Sequence, residues 1–264
     1  MYAFEYQRPA SVTDAKAALG ADARFLAGGQ SLIQAMKLRL SSSERLVDLG
    51  GIADLKGIKV DGGNIVIGAM VTHAAVAASA DVQRACPALA ELAGGIGDPM
   101  VRNMGTIGGS VANADPAACY PAAVVGLGAT IHTNQRTIAA DAFFTGLYET
   151  ALQPGELITA VSFPALQKAA YVKYKQPASR FALVGVVVSQ GTGGVRVAVT
   201  GAKSSVFRAT EIEAALTKSF TPEAAKAVKM PTTDINADMH GSAVYRAAMI
   251  SVMASRAVAA ALAR

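Results

Sequence analysis

An apolar segment runs directly into a glycine pair at Phe25-Leu26-Ala27-Gly28-Gly29-Gln30-Ser31-Leu32. The pattern predicts a strand at Ala23–Ala27 and a helix at Leu32–Lys37, joined by a glycine turn. Because glycine has no side chain, the backbone N–H groups of this turn can approach a ligand closely. The Ser31 hydroxyl and the start of the helix add donors and a favourable dipole, so we expect a phosphate group to bind here.

A second glycine pair follows further along the chain, at Thr106-Ile107-Gly108-Gly109-Ser110. It ends a glycine-rich stretch, residues 94–109, which we expect to form a packed loop beside a ligand rather than regular structure. We expect the design of the first pair to recur, so that two loops clasp a pyrophosphate from opposite sides. Either pair alone is also explained by a tight turn. The residues by themselves therefore predict a phosphate-containing ligand without naming it.

The rest of the first half predicts short strands and helices arranged in two lobes. Ser11 with Asp14 has the spacing of a helix cap, and Asp61-Gly62-Gly63-Asn64 between apolar runs predicts a hairpin turn. We expect the first lobe to end near residue 57. The predicted elements are strands at Ala3–Tyr6, Arg45–Asp48, Ile58–Val60 and Ile65–Ile67, and helices at Val12–Leu19, from the Thr72 cap through Ser79, and from Pro87 through Ala93.

The second half predicts a strand meander covered by helices. Three alternating runs indicate antiparallel strands, and Thr221 with Pro222 marks a helix start. We therefore expect three units, residues 1–57, 58–167 and 168–264, of which the last is a separate α+β domain. The predicted elements are strands at Gly128–Thr133, Arg136–Ala139, Ala160–Phe163, Tyr171–Lys175, Ala182–Gln190 and Val195–Gly201, and a long helix at Ser242–Leu262.

Composition excludes several classes of protein. The 264 residues are 52% hydrophobic and 16% charged. No apolar run approaches the length of about 18 residues that crosses a bilayer, so no integral membrane segment is expected. The first residues lack the parts of a secretory signal, and we expect a cytoplasmic location. The net charge of +5 is dispersed along the chain, so nucleic-acid binding is not expected.

The sequence offers little chemistry of its own. Cys86 and Cys119 lie far apart and the chain has three histidines, so we expect neither a metal ion nor an iron–sulfur cluster. Templates for nicotinamide binding, nucleotide hydrolysis, zinc peptidases and serine hydrolases are missing, and we predict no catalytic residue. A cofactor must therefore supply any difficult chemistry.

Four segments together resemble a known family, the medium, FAD-binding subunit of molybdenum hydroxylases of the carbon monoxide dehydrogenase and xanthine dehydrogenase type. The resemblance covers nearly the whole chain in the family's order. It implies an α+β fold, in which a two-lobed FAD-binding domain of the vanillyl-alcohol-oxidase (PCMH) type precedes a smaller α+β domain of the CO dehydrogenase flavoprotein type. The segments are Phe25–Leu32, Ile67–His73, Arg102–Ser110 and Asp238–Arg246.

The resemblance also implies roles for individual residues. It places Ile96 against the isoalloxazine ring, the backbone of Ile158 at the adenine end and Lys175 near the flavin. Ile96 is equally explained by loop packing and Lys175 by an exposed strand position. The residues expected around the FAD pyrophosphate are Ala27, Gly28, Gly29, Gln30, Ser31 and Leu32, with Thr106, Ile107, Gly108, Gly109 and Ser110.

One departure from the family concerns Cys119, which stands where many relatives carry an aspartate that contacts the cofactor. That contact is in doubt here, and Cys119 is better explained as a small buried residue than as a reactive thiol. Asp115 is expected to supply a carboxylate to the ribityl or ribose hydroxyls, or else to cap the following helix.

The function implied by the resemblance is electron transfer. A large molybdopterin-binding subunit and a small [2Fe–2S] subunit would complete the enzyme, with this chain passing electrons from the clusters through FAD to an acceptor such as NAD, oxygen or a quinone. The expected assembly is a dimer of heterotrimers. Two alternatives remain: a stand-alone FAD-dependent oxidoreductase, which would need a general base near the ring, and a cofactor-free binding or assembly protein. The substrate of the whole enzyme stays open.

Overall fold

The computed structural model describes residues 1–264. The amino-terminal part forms a small parallel sheet whose strands lie in the order β1-β3-β2. The Ser11 hydroxyl accepts a hydrogen bond from the Asp14 N–H and so starts the first helix. The core of this part includes Val47, Ile52 and Leu55, whose side chains are completely or almost completely buried. Its elements are β1 (Glu5–Gln7), α1 (Val12–Ala17), β2 (Ala23–Leu26), α2 (Leu32–Lys37) and β3 (Arg45–Asp48).

The middle part is built on an antiparallel sheet with the order β4-β5-β10-β6-β7. The predicted hairpin joins β4 and β5, and Gly62 and Gly63 supply the positive φ angles (56° and 81°) that its turn requires. Its elements are β4 (Ile58–Asp61), β5 (Asn64–Gly68), α3 (His73–Ala78), α4 (Ala80–Ala85), α5 (Pro87–Gly94), α6 (Pro99–Met104), α7 (Ile107–Asn113), α8 (Cys119–Gly126), β6 (Thr130–Thr133), β7 (Thr137–Ala139), β8 (Phe144–Gly146), β9 (Glu149–Thr150) and β10 (Ile158–Pro164).

The glycine-rich stretch is more regular than predicted. The expected packed loop contains helix α6 and the first part of helix α7. Asp98 caps α6 by accepting from the Val101 N–H, and Pro99 occupies the first helical position. Thr106 caps α7 by accepting from the Gly109 N–H. The prediction of no regular structure was wrong because two strong start signals outweigh the low helix propensity of glycine.

The helix predicted from the Thr72 cap through Ser79 ends one residue earlier and is followed at once by another. Thr72 accepts from the Ala75 N–H as expected. Ser79 has an extended backbone, with φ −68° and ψ 119°, and its hydroxyl caps α4. The serine therefore divides the segment into two short helices instead of ending one.

The carboxy-terminal part is an antiparallel meander, β11-β12-β13-β14, covered by helices. Helix α11 packs on β11 and β12 through a face that includes Ile250, Met253 and Ala257. Length and composition alone would allow α11 to cross a membrane, but this face belongs to the domain core. The elements are β11 (Ala169–Lys175), β12 (Ala182–Gly191), β13 (Gly194–Thr200), β14 (Phe207–Arg208), α9 (Thr210–Lys218), α10 (Pro222–Ala227) and α11 (Ala243–Leu262).

The segment Asp238–Arg246 ties the last helix to the sheet. The buried guanidinium of Arg246 donates to the carbonyls of Leu183 and Gly201, each at 2.9 Å, and to the Asp238 carboxylate at 2.6 Å. Gly201 in turn donates its N–H to the Pro116 carbonyl of the middle part, at 2.7 Å. The two parts of the molecule are therefore joined close to the residues that follow Asp115.

Candidate functional site: a cavity between two glycine segments

A cavity of about 410 Å³ opens between the parallel sheet, helix α7 and the turn that follows β11. Its walls combine residues from all three parts of the chain. Most of the residues predicted from sequence meet here although they are far apart along the chain. The predicted residues that line the cavity are Ala27, Gly28, Gly29, Gln30, Ser31, Leu32, Ile96, Thr106, Gly108, Gly109, Ser110, Asp115 and Ile158.

The first glycine segment, Ala27–Leu32, carries unused hydrogen-bond donors. The backbone N–H groups of Ala27 to Ser31 find no acceptor within the chain. The Ser31 hydroxyl makes no capping bond to α2. Gly29 turns the backbone with φ 71°, and the Gln30 amide braces the turn by donating to the Gly28 carbonyl at 3.2 Å. Since unpaired backbone donors are costly away from water, this row of N–H groups suits an anionic ligand.

The second glycine segment, Thr106–Ser110, has a different design from the one predicted. Its N–H groups from Ile107 onward are already used: Ile107 donates to Val71 at 3.1 Å, Gly108 to Ala69 at 2.9 Å, and Ser110 to Thr106 at 3.0 Å. The Gly109 N–H donates to the Thr106 hydroxyl at 3.1 Å. Because these N–H groups are already bonded, the segment has no row of free donors. It contributes small residues and the Ser110 hydroxyl to the cavity wall.

Ile107 does not line the cavity. Its side chain is fully buried in the central core between the antiparallel sheet and the helices. The cavity lining therefore does not support a side-chain contact from Ile107, and its place in the site stays a prediction. The first residue of α7 points inward because its N–H bonds to Val71 and fixes the direction of the helix.

The two segments touch each other, and at Gly28 the contact leaves no room for a side chain. A Cβ atom on Gly28 would overlap the carbonyl oxygen of Met104. A Cβ atom on Gly109 would lie 3.2 Å from the Cβ of Ala27 and 2.9 Å from the Thr106 hydroxyl. The two predicted loops are thus adjacent walls of one cavity.

Lys175 lies outside the cavity, and Lys173 lines it instead. Both would share a face of a regular strand, since side chains alternate with a period of two. The register of β11 against β12 shifts between Tyr174 and Lys175, which marks a bulge or irregularity. Lys175 follows this shift and is exposed at the surface. The cavity lining does not support its predicted place near the flavin, which stays a prediction.

Asp115 and Cys119 form the wall below the second segment. One Asp115 carboxylate oxygen accepts from the Ala117 N–H at 2.8 Å and the other from the Tyr148 hydroxyl at 3.3 Å. The cap of α8 is Ala118, so Asp115 is not the helix cap. Cys119 is buried and unbridged, as a small wall residue.

The far end of the cavity contains Glu156, which the sequence did not single out. Arg136 holds the pKa of this carboxyl down to about 2, together with hydrogen bonds from the Gln153 N–H and the Thr133 hydroxyl. All four contacts lie between 2.7 and 3.1 Å. The carboxylate is saturated and fixes the segment that leads into Ile158. No local pattern links Arg136 to Glu156, so sequence reasoning had no signal for this pair.

His73 is a second residue that the sequence did not place in the site. Burial, helped by the positive charge of Arg102, lowers the pKa of its imidazole from 6.5 to about 4. Its Nδ1 has no partner, and a Cβ on Gly105 would lie 2.5 Å from its Nε2. The neutral ring therefore packs beneath the start of the second segment at the cavity wall, and its low pKa makes it a weak base.

Comparison with known proteins agrees with this geometry. The family described as "FAD binding domain in molybdopterin dehydrogenase" matches residues 2–166. The chain belongs to this family, the FAD-binding medium subunits of carbon monoxide dehydrogenase and related molybdenum hydroxylases. The predicted resemblance, the α+β fold class and FAD as the cofactor are thereby confirmed.

Two curated relatives and one solved structure match along nearly their whole length. The chain is 38% identical to the carbon monoxide dehydrogenase medium chain of Hydrogenophaga pseudoflava, over 99% of this chain and 98% of that one. It is 33% identical to the nicotine 6-hydroxylase medium subunit of Paenarthrobacter nicotinovorans, over 99% and 98%. A solved structure of reconstituted CO dehydrogenase from Oligotropha carboxidovorans superposes with a TM-score of 0.89 at 37% identity, covering 100% of this chain and 99% of that chain.

Proposed function

We propose that this chain holds FAD in the cavity between the two glycine segments and passes electrons from a partner subunit to an external acceptor. The observation that carries the proposal is the row of unused N–H groups from Ala27 to Ser31 at the wall of that cavity. Bound FAD would supply the ability to accept and release electrons, which no side chain of the cavity provides.

Different residues of the cavity would bind different parts of FAD. The N–H groups of the first segment and the Ser31 and Ser110 hydroxyls would bind the pyrophosphate, with Gly108 and Gly109 leaving room for it. Asp115 would accept hydrogen bonds from sugar or ribityl hydroxyls. The other proposed contacts are Ile96 at the ring and the buried wall of Ile158 at the adenine end.

Partner subunits are part of the proposal. We propose a small subunit with two [2Fe–2S] clusters and a large subunit with the molybdenum cofactor, assembled as a dimer of heterotrimers in the cytoplasm. The relatives are named medium chains or medium subunits, which supports an assembly of several chains. Their names specify substrates as different as carbon monoxide and nicotine, which supports the proposal that the large subunit selects the substrate.

The domain boundaries at residues 57 and 167 are also a proposal. Each of the three larger sheets takes its strands from one of the segments 1–57, 58–167 and 168–264, which supports these limits. Each segment also has its own cluster of buried apolar residues, which supplies further support. The exceptions include Leu157, which packs with the cluster of the amino-terminal part, and Val187, which packs with the cluster of the middle part.

A stand-alone oxidoreductase is the weaker alternative because His73 is buried and both carboxylates of the cavity, Asp115 and Glu156, already accept hydrogen bonds within the chain. His73 is buried with a pKa of about 4, and the Glu156 carboxylate is already bound by Arg136 and two further donors. A proton acceptor near the ring would have to be accessible and within hydrogen-bond reach of the substrate. The site is thus better suited to electron transfer than to oxidation of a substrate of its own.

The first test is the visible absorption spectrum of the purified full chain, with FAD added if the protein is colourless. After gel filtration we expect the protein to show flavin absorption bands at about 370 and 450 nm, as for oxidised protein-bound flavin. A chain that retains no flavin, even when produced with its partners, would support the cofactor-free alternative and contradict the proposal.

The electron-transfer step requires a second test. The flavin of the assembled complex should bleach under anaerobic conditions when substrate of the large subunit is added, and the isolated chain should not respond. Bleaching of the isolated chain by an organic substrate would support the stand-alone alternative instead.

A further inference from the structure

Lys173 connects three segments at the wall of the cavity. Its ammonium donates to the Arg180 carbonyl at 2.8 Å and to the Gly95 carbonyl at 2.9 Å, and it lies 3.4 Å from the Cys119 sulfur. A lysine ammonium has three N–H donors and no acceptor, so these contacts use its whole capacity. The half-buried cation is therefore fixed at one point rather than free in solvent.

The acceptors come from both sides of the domain boundary. Lys173 and Arg180 belong to the carboxy-terminal sheet and its first turn, whereas Gly95 and Cys119 belong to the FAD-binding part. Strand β11 is at the edge of its sheet. Lys173 thus fastens this edge to the wall that contains Ile96.

The wall Gly95–Gly97 is held by cations at three successive carbonyls. Lys173 binds the Gly95 carbonyl, and Arg102 binds the carbonyls of Ile96 at 3.0 Å and Gly97 at 3.3 Å. Arg180 adds a contact to the Gly97 carbonyl at 3.1 Å. Few backbone segments have every carbonyl bound by a charged donor, and such bonds are stronger than neutral ones.

The geometry of this wall leaves one donor unused. The Gly97 N–H has no acceptor in the chain, and Gly97 lines the cavity. In a trans peptide the N–H points away from the carbonyl of the preceding residue, here the Ile96 carbonyl bound by Arg102. Arg102 therefore fixes the direction of the Gly97 N–H, and Lys173 holds the start of the same wall through the Gly95 carbonyl.

We propose that Lys173 is a positioning residue, which holds the Gly95–Gly97 wall and its Gly97 N–H against the ring end of the bound flavin. The inference rests on the proposed function, in which FAD occupies this cavity with its ring at Ile96. Arg180 acts on the same wall from the same domain. The carboxy-terminal domain thereby contributes to cofactor binding through carbonyls of the other domain.

The test compares Lys173→Met with Lys175→Met in the full chain stripped of flavin and titrated with FAD. Losing a hydrogen-bonded cation is expected to raise the dissociation constant of oxidised FAD about tenfold to a hundredfold for Lys173→Met. Lys175→Met, two residues along the same strand but exposed, is the matched control and should change it by less than about twofold. The visible circular dichroism of the bound flavin should also change only in Lys173→Met.

A role of Lys173 through its positive charge alone predicts a different result for Lys173→Met. If Lys173 acted only through its positive charge near the ring, its removal would lower the flavin midpoint potential and leave the affinity for oxidised FAD unchanged. That result would overturn the positioning role. Equal affinities and spectra for Lys173→Met and Lys175→Met would overturn it as well.

Arg180→Met, which removes another cation from the Gly97 carbonyl, should also weaken FAD binding and keeps the test decisive if Lys173→Met folds poorly, and where both fold a double-mutant cycle tests whether they share one wall. Because both side chains hold one wall, the double variant should bind FAD about as weakly as the weaker single variant. Strictly additive effects would contradict a shared wall. A wild-type chain that binds no flavin would contradict the proposed function and this inference together, whereas failure of the Lys173 comparison alone leaves the proposed function intact.

Discussion

In the first glycine segment the N–H groups of Ala27 to Ser31 bond to nothing in the chain, whereas in Thr106–Ser110 those from Ile107 onward are all bonded. The difference follows from the acceptors beside each segment. The carbonyls of Val71 and Ala69 accept from Ile107 and Gly108, and Thr106 accepts from Gly109 and Ser110. A glycine pair beside a hydroxyl therefore indicates close approach of two backbones, but the neighbouring acceptors decide whether its donors serve the fold or a ligand.

The comparison assigns different tasks to the two segments. The first is the source of donors for an anion, and its glycines permit the required backbone path. The second is a support, whose glycines let Ala69 and Ala27 pack closely against the helix start. Substitutions in the first segment should thus affect ligand binding most, and those in the second should affect stability.

Gly29→Val should cause the largest effect, loss of flavin binding. Gly29 has φ 71°, which a β-branched residue adopts at a cost of about 1–3 kcal/mol, and its Cβ would lie 3.0 Å from the Ile33 side chain. The measurement is the flavin-to-protein ratio after gel filtration, with far-ultraviolet circular dichroism to verify folding. Stoichiometric flavin in this variant would show that the first segment is not the pyrophosphate site.

Two further glycine variants separate strain from ligand contact. Gly62→Val places valine at φ 56° in a hairpin turn with open space around it, so it should lose stability and keep flavin. Gly109→Ala introduces no positive φ and needs only a small shift of Ala27 and Thr106, so it should weaken flavin binding without abolishing it. Equal loss of flavin in Gly29→Val, Gly62→Val and Gly109→Ala would contradict the distinction between the two segments.

Local patterns predicted many elements because their signals lie within a few residues. Helix α2 and strand β3 have the predicted bounds, and α11 begins one residue after its predicted start at Ser242 and ends at the predicted Leu262. The start signals of α6 and α7 were also present, at Asp98-Pro99 and Thr106, whereas the glycine content of the stretch favoured a loop. These helices were predictable in principle.

Other features required the three-dimensional structure. Strand alternation assigns Lys173 and Lys175 to one face and cannot reveal that Lys173 lines the cavity whereas Lys175 lies outside it. The partnership of Arg136 with Glu156 joins positions on separate elements that only the folded sheet brings together. Side-chain direction and long-range pairing thus set the limit of what the sequence predicted about the site.

Stability should fall as the pH is lowered from about 6.5 to 4, the unfolded and folded pKa values of His73. Because the folded pKa is depressed, the unfolded chain binds the extra proton, and the contribution lost is about 3 kcal/mol. Glu156, with a folded pKa of about 2, loses its contribution only below its ordinary value of 4.5. Urea unfolding of wild type and His73→Gln between pH 6.5 and 4.5 isolates the histidine.

The variant should show a flatter dependence on pH than the wild type in that interval, whatever its absolute stability. This result would support the view that His73 packs as a neutral ring beneath the second segment. A slope identical to that of the wild type would assign the pH dependence to other groups.

Thr106→Ala should produce the smallest effect and the clearest separation of the two segments. Loss of the cap bond to the Gly109 N–H is expected to cost about 1 kcal/mol of stability. Thr221→Ala, which removes the equivalent cap of α10 far from the cavity, is the matched control in urea unfolding of the flavin-free chain. If the second segment is mainly a support, both variants should lose similar stability and Thr106→Ala should retain flavin. Complete loss of flavin in Thr106→Ala alone would mean that its hydroxyl binds the cofactor directly, and the two segments would then be equal partners in the site.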